Sequence, residues 1–366
     1  MRTRHSAHRA PGAPAGIEYA ASVLPGLEEI AGQEIRVRLS NAQLVDQQRG
    51  WVVFRWEGNA ARLLDLRTTE DVFVVLYRSD QFPSFRKEAL PLLTRMATQS
   101  RHWEDAFSRF NSVQTRGVQR VTFRVIAQQT GQHGFRRHEA RDAVLAGVQT
   151  RWGKWKQVAD DAHLEVWLSI IQAWALLALR LSDRSMRHRA YKEEHLPASL
   201  RPSLAAAMVQ LARPRPGDLF CDPLCGVGTI LAERALAGPY QALLGGDLDE
   251  RAVQAARTNL YRVDDCTVYG WDARRLPLRA ASLDAVACNL PFGVKVGSHE
   301  ENPALYDRVF AQLVRALKPG GRAVLLSGEK ELMHSLIGRY GQLVREREVL
   351  VGVLGQAARI YVLRKR

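Results

Sequence analysis

Five consecutive residues, Asn289-Leu290-Pro291-Phe292-Gly293, follow an apolar segment and combine a carboxamide, a proline-stiffened backbone and an aromatic ring. The side chain of Asn289 and a neighbouring main-chain carbonyl can both accept hydrogen bonds from an exocyclic NH2, while the Phe292 ring can stack on a flat heterocycle. That combination suits an amino group being oriented for attack on an electrophile, which makes Asn289, Leu290, Pro291 and Phe292 the candidate catalytic residues. No acid or base is demanded by such a displacement. His299, His188 and His195 therefore read as solvated loop residues, and no metal site is expected.

A second constellation lies upstream. The short apolar strand Asp218 to Cys221 runs into Asp222-Pro223-Leu224-Cys225-Gly226-Val227-Gly228-Thr229, then into a helix from Ile230 to Ala237. Small residues at Gly226 and Gly228 let a ligand approach the backbone at the carboxyl end of a first strand. A Gly-x-Gly turn can equally well just pack a helix on a strand. The next strand, Gln241 to Gly246, ends in Asp247-Leu248-Asp249, where a carboxylate can accept from both hydroxyls of a ribose. Asp249 itself reads as the cap of the helix Glu250 to Leu260. A third strand leads to Trp271-Asp272-Ala273, whose carboxylate can accept from an adenine amino group or cap a turn. The cofactor candidates are thus Asp222, Cys225, Gly226, Gly228, Thr229, Asp247, Leu248, Asp272, Ala273 and Asn289. A dinucleotide dehydrogenase would fit the first two features; the last strand ends, at Asp272 and Asn289, point elsewhere.

These residues need a scaffold. From Pro202 onward the pattern of helix, strand, glycine loop, helix, strand, helix, strand predicts a doubly wound parallel sheet. Lys318-Pro319-Gly320-Gly321 reads as a turn before a strand from Arg322 to Ser327. Upstream, a strand starts at Ile17 and is stopped by Pro25-Gly26. A hairpin spans Leu44 to Trp56 around Gly50, Asn59 caps a helix to Leu66, and Val72 to Tyr77 is a strand. Phe82 to Phe110 reads as mostly helical, Val121 to Ala127 as a strand, and Gly134 onward as a helix to about Thr150. The apolar run Leu164 to Leu181 is broken by Gln172 and ends beside Arg180, which suits two buried strands better than a membrane span.

The chain of 366 residues is 46% hydrophobic and 25% charged, as expected of a globular protein, with a formal net charge of +14. Up to Ala190, 28 Lys and Arg face 19 Asp and Glu, so the surplus leans to the first half. This points to a polyanionic partner, because clustered cations displace counterions from phosphates, with a solvated basic surface as the alternative reading. Cys221, Cys225, Cys266 and Cys288 form no zinc pattern and read as apolar fillers in a reducing cytoplasm.

The segments Asp222 to Thr229 and Asn289 to Gly293 resemble the cofactor loop and catalytic motif of amino-methyltransferases. That motif is Asn or Asp, Pro-Pro, then an aromatic; Leu290 replaces the first Pro, as in members that follow the motif with Gly. Gly293 to Asn302 with Leu305-Tyr306 is similar to the THUMP-containing tRNA guanine-N2 methyltransferases. Leu24-Pro25-Gly26-Leu27-Glu28, Gly134-Phe135-Arg136-Arg137, Arg189-Ala190-Tyr191 and Leu200-Arg201-Pro202 resemble further parts of that family.

The resemblance implies an α/β architecture: a Rossmann-like class I methyltransferase domain (202–366) preceded by α+β ferredoxin-like (17–80) and THUMP (81–183) domains, a linker (184–201) and a disordered basic tail (1–16). It implies S-adenosyl-L-methionine as methyl donor and the N2 amino group of a guanosine in the acceptor stem of tRNA, at position 6, as acceptor. The base would be flipped from its stack. Arg136, Arg137, Arg184, Arg187, Arg189 and Lys192 are the candidate phosphate contacts of a monomer acting with or without a small activating subunit. A 23S ribosomal RNA guanine-N2 methyltransferase and a catalytically silent RNA-binding scaffold are the competing readings.

Overall fold

The computed structural model describes residues 16–86, 88–114, 120–197, 199–293, 300–353 and 355–366. The tail up to residue 15 and the segment 294–299, with His299, lie outside these.

The first half is built on β1 (Ile17–Ser22), α1 (Glu28–Arg38), β2 (Gln43–Gln48), β3 (Trp51–Trp56), a 3-10 turn (Ala60–Asp65) and β4 (Asp71–Ser79). It continues through α2 (Ala89–Gln99), α3 (Trp103–Val113), β5 (Thr122–Thr130), α4 (Arg137–Arg151), β6 (Lys156–Gln157), β7 (Leu164–Ile171) and β8 (Trp174–Arg180). All eight strands join one sheet in the order β2-β3-β1-β4-β8-β7-β5-β6. The expected division at residue 80 therefore falls inside a single sheet, because β4 pairs antiparallel with β8 from Phe73↔Arg180 to Ser79↔Ala175. One core runs beneath the helices across both parts, with Tyr19, Phe54 and Val74 in the same cluster as Trp103, Phe123, Val144 and Leu168.

The 4-residue α5 (Ser185–His188) opens the connector, and the second half follows. Its elements are α6 (Pro202–Ala212), β9 (Leu219–Asp222), α7 (Thr229–Leu236), β10 (Ala242–Asp247), α8 (Glu250–Asn259), β11 (Cys266–Gly270) and β12 (Leu283–Asn289). Then come α9 (Asn302–Ala316), β13 (Leu317–Ser327), α10 (Lys330–Arg339), β14 (Leu343–Val353) and β15 (Gln356–Lys365). The strand order is β11-β10-β9-β12-β13-β15-β14. Its five leading strands are parallel, and β15 runs antiparallel to both β13 and β14.

Alternation along β12 shows why the sheet is covered on both faces. Ala285 and Ala287 share a core with α6, α7 and α8, whereas Val286 and Cys288 share one with α9 and α10. Strand order reverses between β9 and β12, so their carboxyl ends open the crevice where folds of this type bind ligands. The expected turn at Lys318 to Gly321 is carried inside β13, where the register passes from Leu283↔Leu317 to Ala285↔Arg322 and Gly320 has φ +79°.

The halves are packed together. Leu27 and Ile30 are fully buried in the core of the second half. Burying a side chain of this size contributes roughly 1.5–3 kcal/mol. Gly26, with φ +102°, has no room for a Cβ, which would lie 1.9 Å from the carbonyl oxygen of Leu350. The Pro-Gly strand stop of the sequence is thus also a point where the two halves press closely together. Among the described residues no helix is long and apolar enough to cross a membrane.

Candidate active site

Asp222 ends β9 and is buried, accepting at Oδ1 from the Leu224 N–H at 3.3 Å. Burial pushes its carboxyl up to about 8, and the nearby charge of Asp247 acts in the same direction. Asp222 therefore holds the loop from beneath. Gly226, at φ +52°, donates its N–H to Asp247 Oδ2 at 2.9 Å, and nothing stands within 4 Å of the place a Cβ would occupy. Its backbone faces open space. Gly228 differs: at φ +80°, a Cβ there would come 2.7 Å from Leu260, so this glycine serves close packing of the loop on α8. Cys225 is buried, and the hydroxyl of buried Thr229 has no partner among the described residues.

Asp247 caps no helix; its Oδ1 accepts from the Asp249 N–H at 3.1 Å, while Asp249 caps α8 through the Arg251 N–H at 3.0 Å. Leu248 is 70% exposed. Asp272 accepts from the Arg274 N–H and pairs with the Arg274 guanidinium at 2.8 Å, beside buried Ala273, so the capping reading is realised. Trp271, absent from the sequence candidates, donates from Nε1 to the Pro223 carbonyl at 3.0 Å and presses on Gly246. It ties the end of β11 to the glycine loop. Its aromatic neighbour Tyr269, stacked on it at 5.6 Å, was the available signal.

At the end of β12, Asn289 stands at the same edge of the sheet as the loop, since Val286 pairs with Cys221, the residue before Asp222. Its Oδ1 is buried and has no hydrogen-bond partner among the described residues. A buried acceptor left unmade costs about 1–3 kcal/mol, which marks the atom as awaiting a donor. Leu290 is fully buried, with its N–H donated to the Leu326 carbonyl at 3.0 Å. The Pro291 carbonyl accepts from the Tyr306 hydroxyl at 2.7 Å and from Asn302 Nδ2 at 3.0 Å. Tyr306 also meets Ser327 Oγ at 3.0 Å, and Asn302 Nδ2 donates to Glu329 at 3.1 Å. Phe292 is half-buried against Gly328, where any side chain would meet its ring.

An adenosyl donor fits this edge: the open backbone at Gly226 gives it approach, and the orphaned Asn289 oxygen lies across the strand end. Among the described residues no group of three or more His, Cys, Asp or Glu side chains is placed to hold a metal ion.

The basic candidates separate into two sets. Arg136 and Arg137 are exposed at the start of α4, and Arg184 is 72% exposed in a surface pair with Asp161. Arg189 and Lys192 are corrected by their surroundings, while Arg187 is only partly covered. Arg187 binds the buried carboxylate of Asp71, and Arg189 is 4% exposed between Glu233 and the Arg67 carbonyl. Lys192 is buried and donates to the Leu200 carbonyl at 2.8 Å. The charges of Arg189 and Lys192 stitch the connector to its neighbours and are not open to a phosphate, whereas the Arg187 side chain, 35% exposed, keeps one side at the surface.

Residues 189–358 match the family model described as RMKL-like, methyltransferase domain. A mouse (Mus musculus) tRNA (guanine(6)-N(2))-methyltransferase THUMP3 is 33% identical over 261 residues, 66% of this chain and 51% of that protein. The chain thus spans about half the length of this relative, and likewise 53% of its cattle (Bos taurus) counterpart. A tRNA (guanine(6)-N2)-methyltransferase of Thermus thermophilus is 29% identical over 94% of this chain and 98% of its own. The crystal structure of TrmN from Thermus thermophilus superimposes with a TM-score of 0.77 and 26% identity, covering 96% of this chain and 100% of the other. Fold, crevice and motif agree with these likenesses: the second half has a class I methyltransferase fold, and the chain is similar over nearly its whole length to the guanine-N2 methyltransferase of Thermus thermophilus.

Proposed function

We propose that the protein methylates the exocyclic N2 of a guanosine in tRNA, in the acceptor stem at position 6. The observation that carries this reading is the buried Oδ1 of Asn289, without a hydrogen-bond partner among the described residues, at the same sheet edge as the open glycine loop. The names of the relatives, which act on tRNA guanine at N2, supply the substrate class.

When bound, S-adenosylmethionine supplies an electrophilic methyl group on a sulfonium. Gly226 would let it approach the loop backbone, and Asp247 lies where ribose hydroxyls would donate. Asn289 Oδ1 and the Leu290 carbonyl accept the two hydrogens of the guanine amino group. Pro291 is already engaged by Tyr306 and Asn302, so it fixes the turn rather than binding the base. Those two acceptors draw the nitrogen lone pair out of conjugation with the ring, aim it at the methyl carbon and stabilise the positive charge that develops on nitrogen. As the nitrogen–methyl bond forms, the methyl–sulfur bond would break with the neutral thioether as leaving group, and the methylated nitrogen would lose one proton past these same oxygens to water. Phe292 offers a face to the flipped base. Arg136, Arg137 and Arg184 contact phosphates and position the RNA without reading its sequence. Four free cysteines suit a reducing cytoplasm.

Incubation with labelled cofactor and, in parallel, an unmodified tRNA transcript and an unmodified ribosomal RNA transcript, followed by mass-spectrometric mapping, tests the reading. N2-methylguanosine in the acceptor stem is expected. Label appearing only in ribosomal RNA, or nowhere, overturns it.

A further inference from the structure

Glu233 lies one turn into α7, the helix that begins at the glycine loop, and its side chain is 0% exposed. Three groups from outside the helix converge on it. Arg67, from the loop before β4, makes a two-pronged contact at 3.0 and 2.9 Å, and the Tyr191 hydroxyl donates at 2.6 Å. Arg189 approaches to 3.6 Å and donates to the Arg67 carbonyl at 2.8 Å. Glu34 of α1 braces the same loop by accepting from the N–H groups of Arg67 and Thr68, each at 2.8 Å. First half, connector and cofactor helix therefore meet in one buried ionic cluster.

Such a cluster is a poor device for stability alone, because desolvating the charges offsets most of their attraction and apolar residues pack as well. Its distinguishing property is direction. A two-pronged guanidinium contact holds at one angle, whereas an apolar interface can slide. The connector has little slack on either side. Arg187 is bound to Asp71 at the start of β4, and the Asn259 carboxamide joins Glu194 to the Val227 carbonyl in the glycine loop at 2.8, 3.1 and 2.9 Å. Since Arg189 and Lys192 of the connector are used internally, the exposed basic candidates Arg136, Arg137 and Arg184 all lie on the side of the first half, and the spacing between halves decides what reaches Asn289.

We infer that Glu233, Arg67, Arg189 and Tyr191 are positioning residues that determine which nucleotide is modified, by locking the RNA-binding half at one distance and angle from the catalytic crevice. This rests on the RNA-methylating reading above. The test uses full-length protein and a tRNA transcript with guanosines flanking the principal target, the variants Tyr191→Phe and Glu233→Gln, and mapping of every methylated guanosine. Cofactor affinity is measured directly on each protein.

With cofactor affinity within about twofold of wild type, the ratio of flanking to principal product should rise at least fivefold in Glu233→Gln and measurably in Tyr191→Phe. An unchanged product profile, with only rate or melting temperature lowered, overturns the inference. Should Glu233→Gln fail to fold, Tyr191→Phe decides, since it removes one hydroxyl and keeps the ring. Absence of any methylated RNA with wild-type protein refutes the parent reading and this inference together, and it is seen in the wild-type sample rather than in the variants.

Discussion

The hydroxyl of Tyr306, in the first turns of α9, donates to the carbonyl of Pro291 at 2.7 Å and so fixes the catalytic turn from behind. Tyr306 is fully buried and shares this duty with Asn302, which donates to the same oxygen. The turn that carries Asn289 is thus held by two side chains of α9 that converge on one carbonyl oxygen.

Tyr306→Phe should loosen that turn without emptying space. Asn302 still covers the carbonyl, so the stability loss is about 1 kcal/mol. Turnover should fall roughly tenfold, the order expected when a reacting group loses its positioning. Steady-state kinetics against a cofactor titration check this: kcat drops while cofactor affinity holds.

Two glycines in one loop should respond differently to alanine. Gly226→Ala meets open space, so it folds with a cost of about 1 kcal/mol for its left-handed backbone, but its methyl group intrudes where the ligand approaches and cofactor affinity falls at least tenfold. Gly228→Ala presses on Leu260 and should lose more stability than Gly226→Ala. Thermal melts and cofactor titrations of both variants separate the two effects.

Asp222 makes stability depend on pH in a stated direction. Its carboxyl rises from the ordinary 3.8 to about 8 on folding. Below the lower value both states are protonated and the group exerts no penalty. As pH climbs from about 4 through about 8, the unfolded chain releases this proton while the folded chain keeps it, so stability is progressively lost. Asp222→Asn removes that slope. Melting temperatures of the cofactor-free proteins across this range should diverge, with the variant gaining on wild type as pH rises; parallel curves would contradict the assignment.

The two sets of cations predict two kinds of defect. Arg136→Ala and Arg137→Ala should weaken RNA binding and each lower the slope of log affinity against log salt by about 1. Arg189→Ala should leave that slope unchanged and lower the melting temperature, because its guanidinium is buried against Glu233 and Arg67. Filter binding across a salt series and thermal melts distinguish them.

The doubly wound half was legible because its strands are short, apolar and punctuated by Gly226, Asp247, Asp272 and Asn289 at their ends. Asp249 was read as a cap and is one. What escaped were relationships between segments far apart in sequence. Nothing local says that β4 will pair with β8, since both are apolar on every position that matters for burial. Nothing in Arg189 or Lys192 distinguishes a buried cation from an exposed one until Glu233 and the Leu200 carbonyl are brought beside them. Tyr306 and Asn302 were noted within the motif region, but their target, a single carbonyl oxygen eleven or more residues earlier, is visible only once α9 has packed under β12. The hairpin of β14 and β15, and the docking of Leu27 and Ile30 near it, depend on the same long-range assembly.

Asn289→Ala examined with both readouts in one preparation tests the catalytic reading most directly. Removal of the carboxamide should abolish methyl transfer to tRNA, by at least a hundredfold, while the protein binds S-adenosylmethionine within a few fold of wild type. A variant that still transfers methyl groups at a near-normal rate would contradict the role given to that buried oxygen.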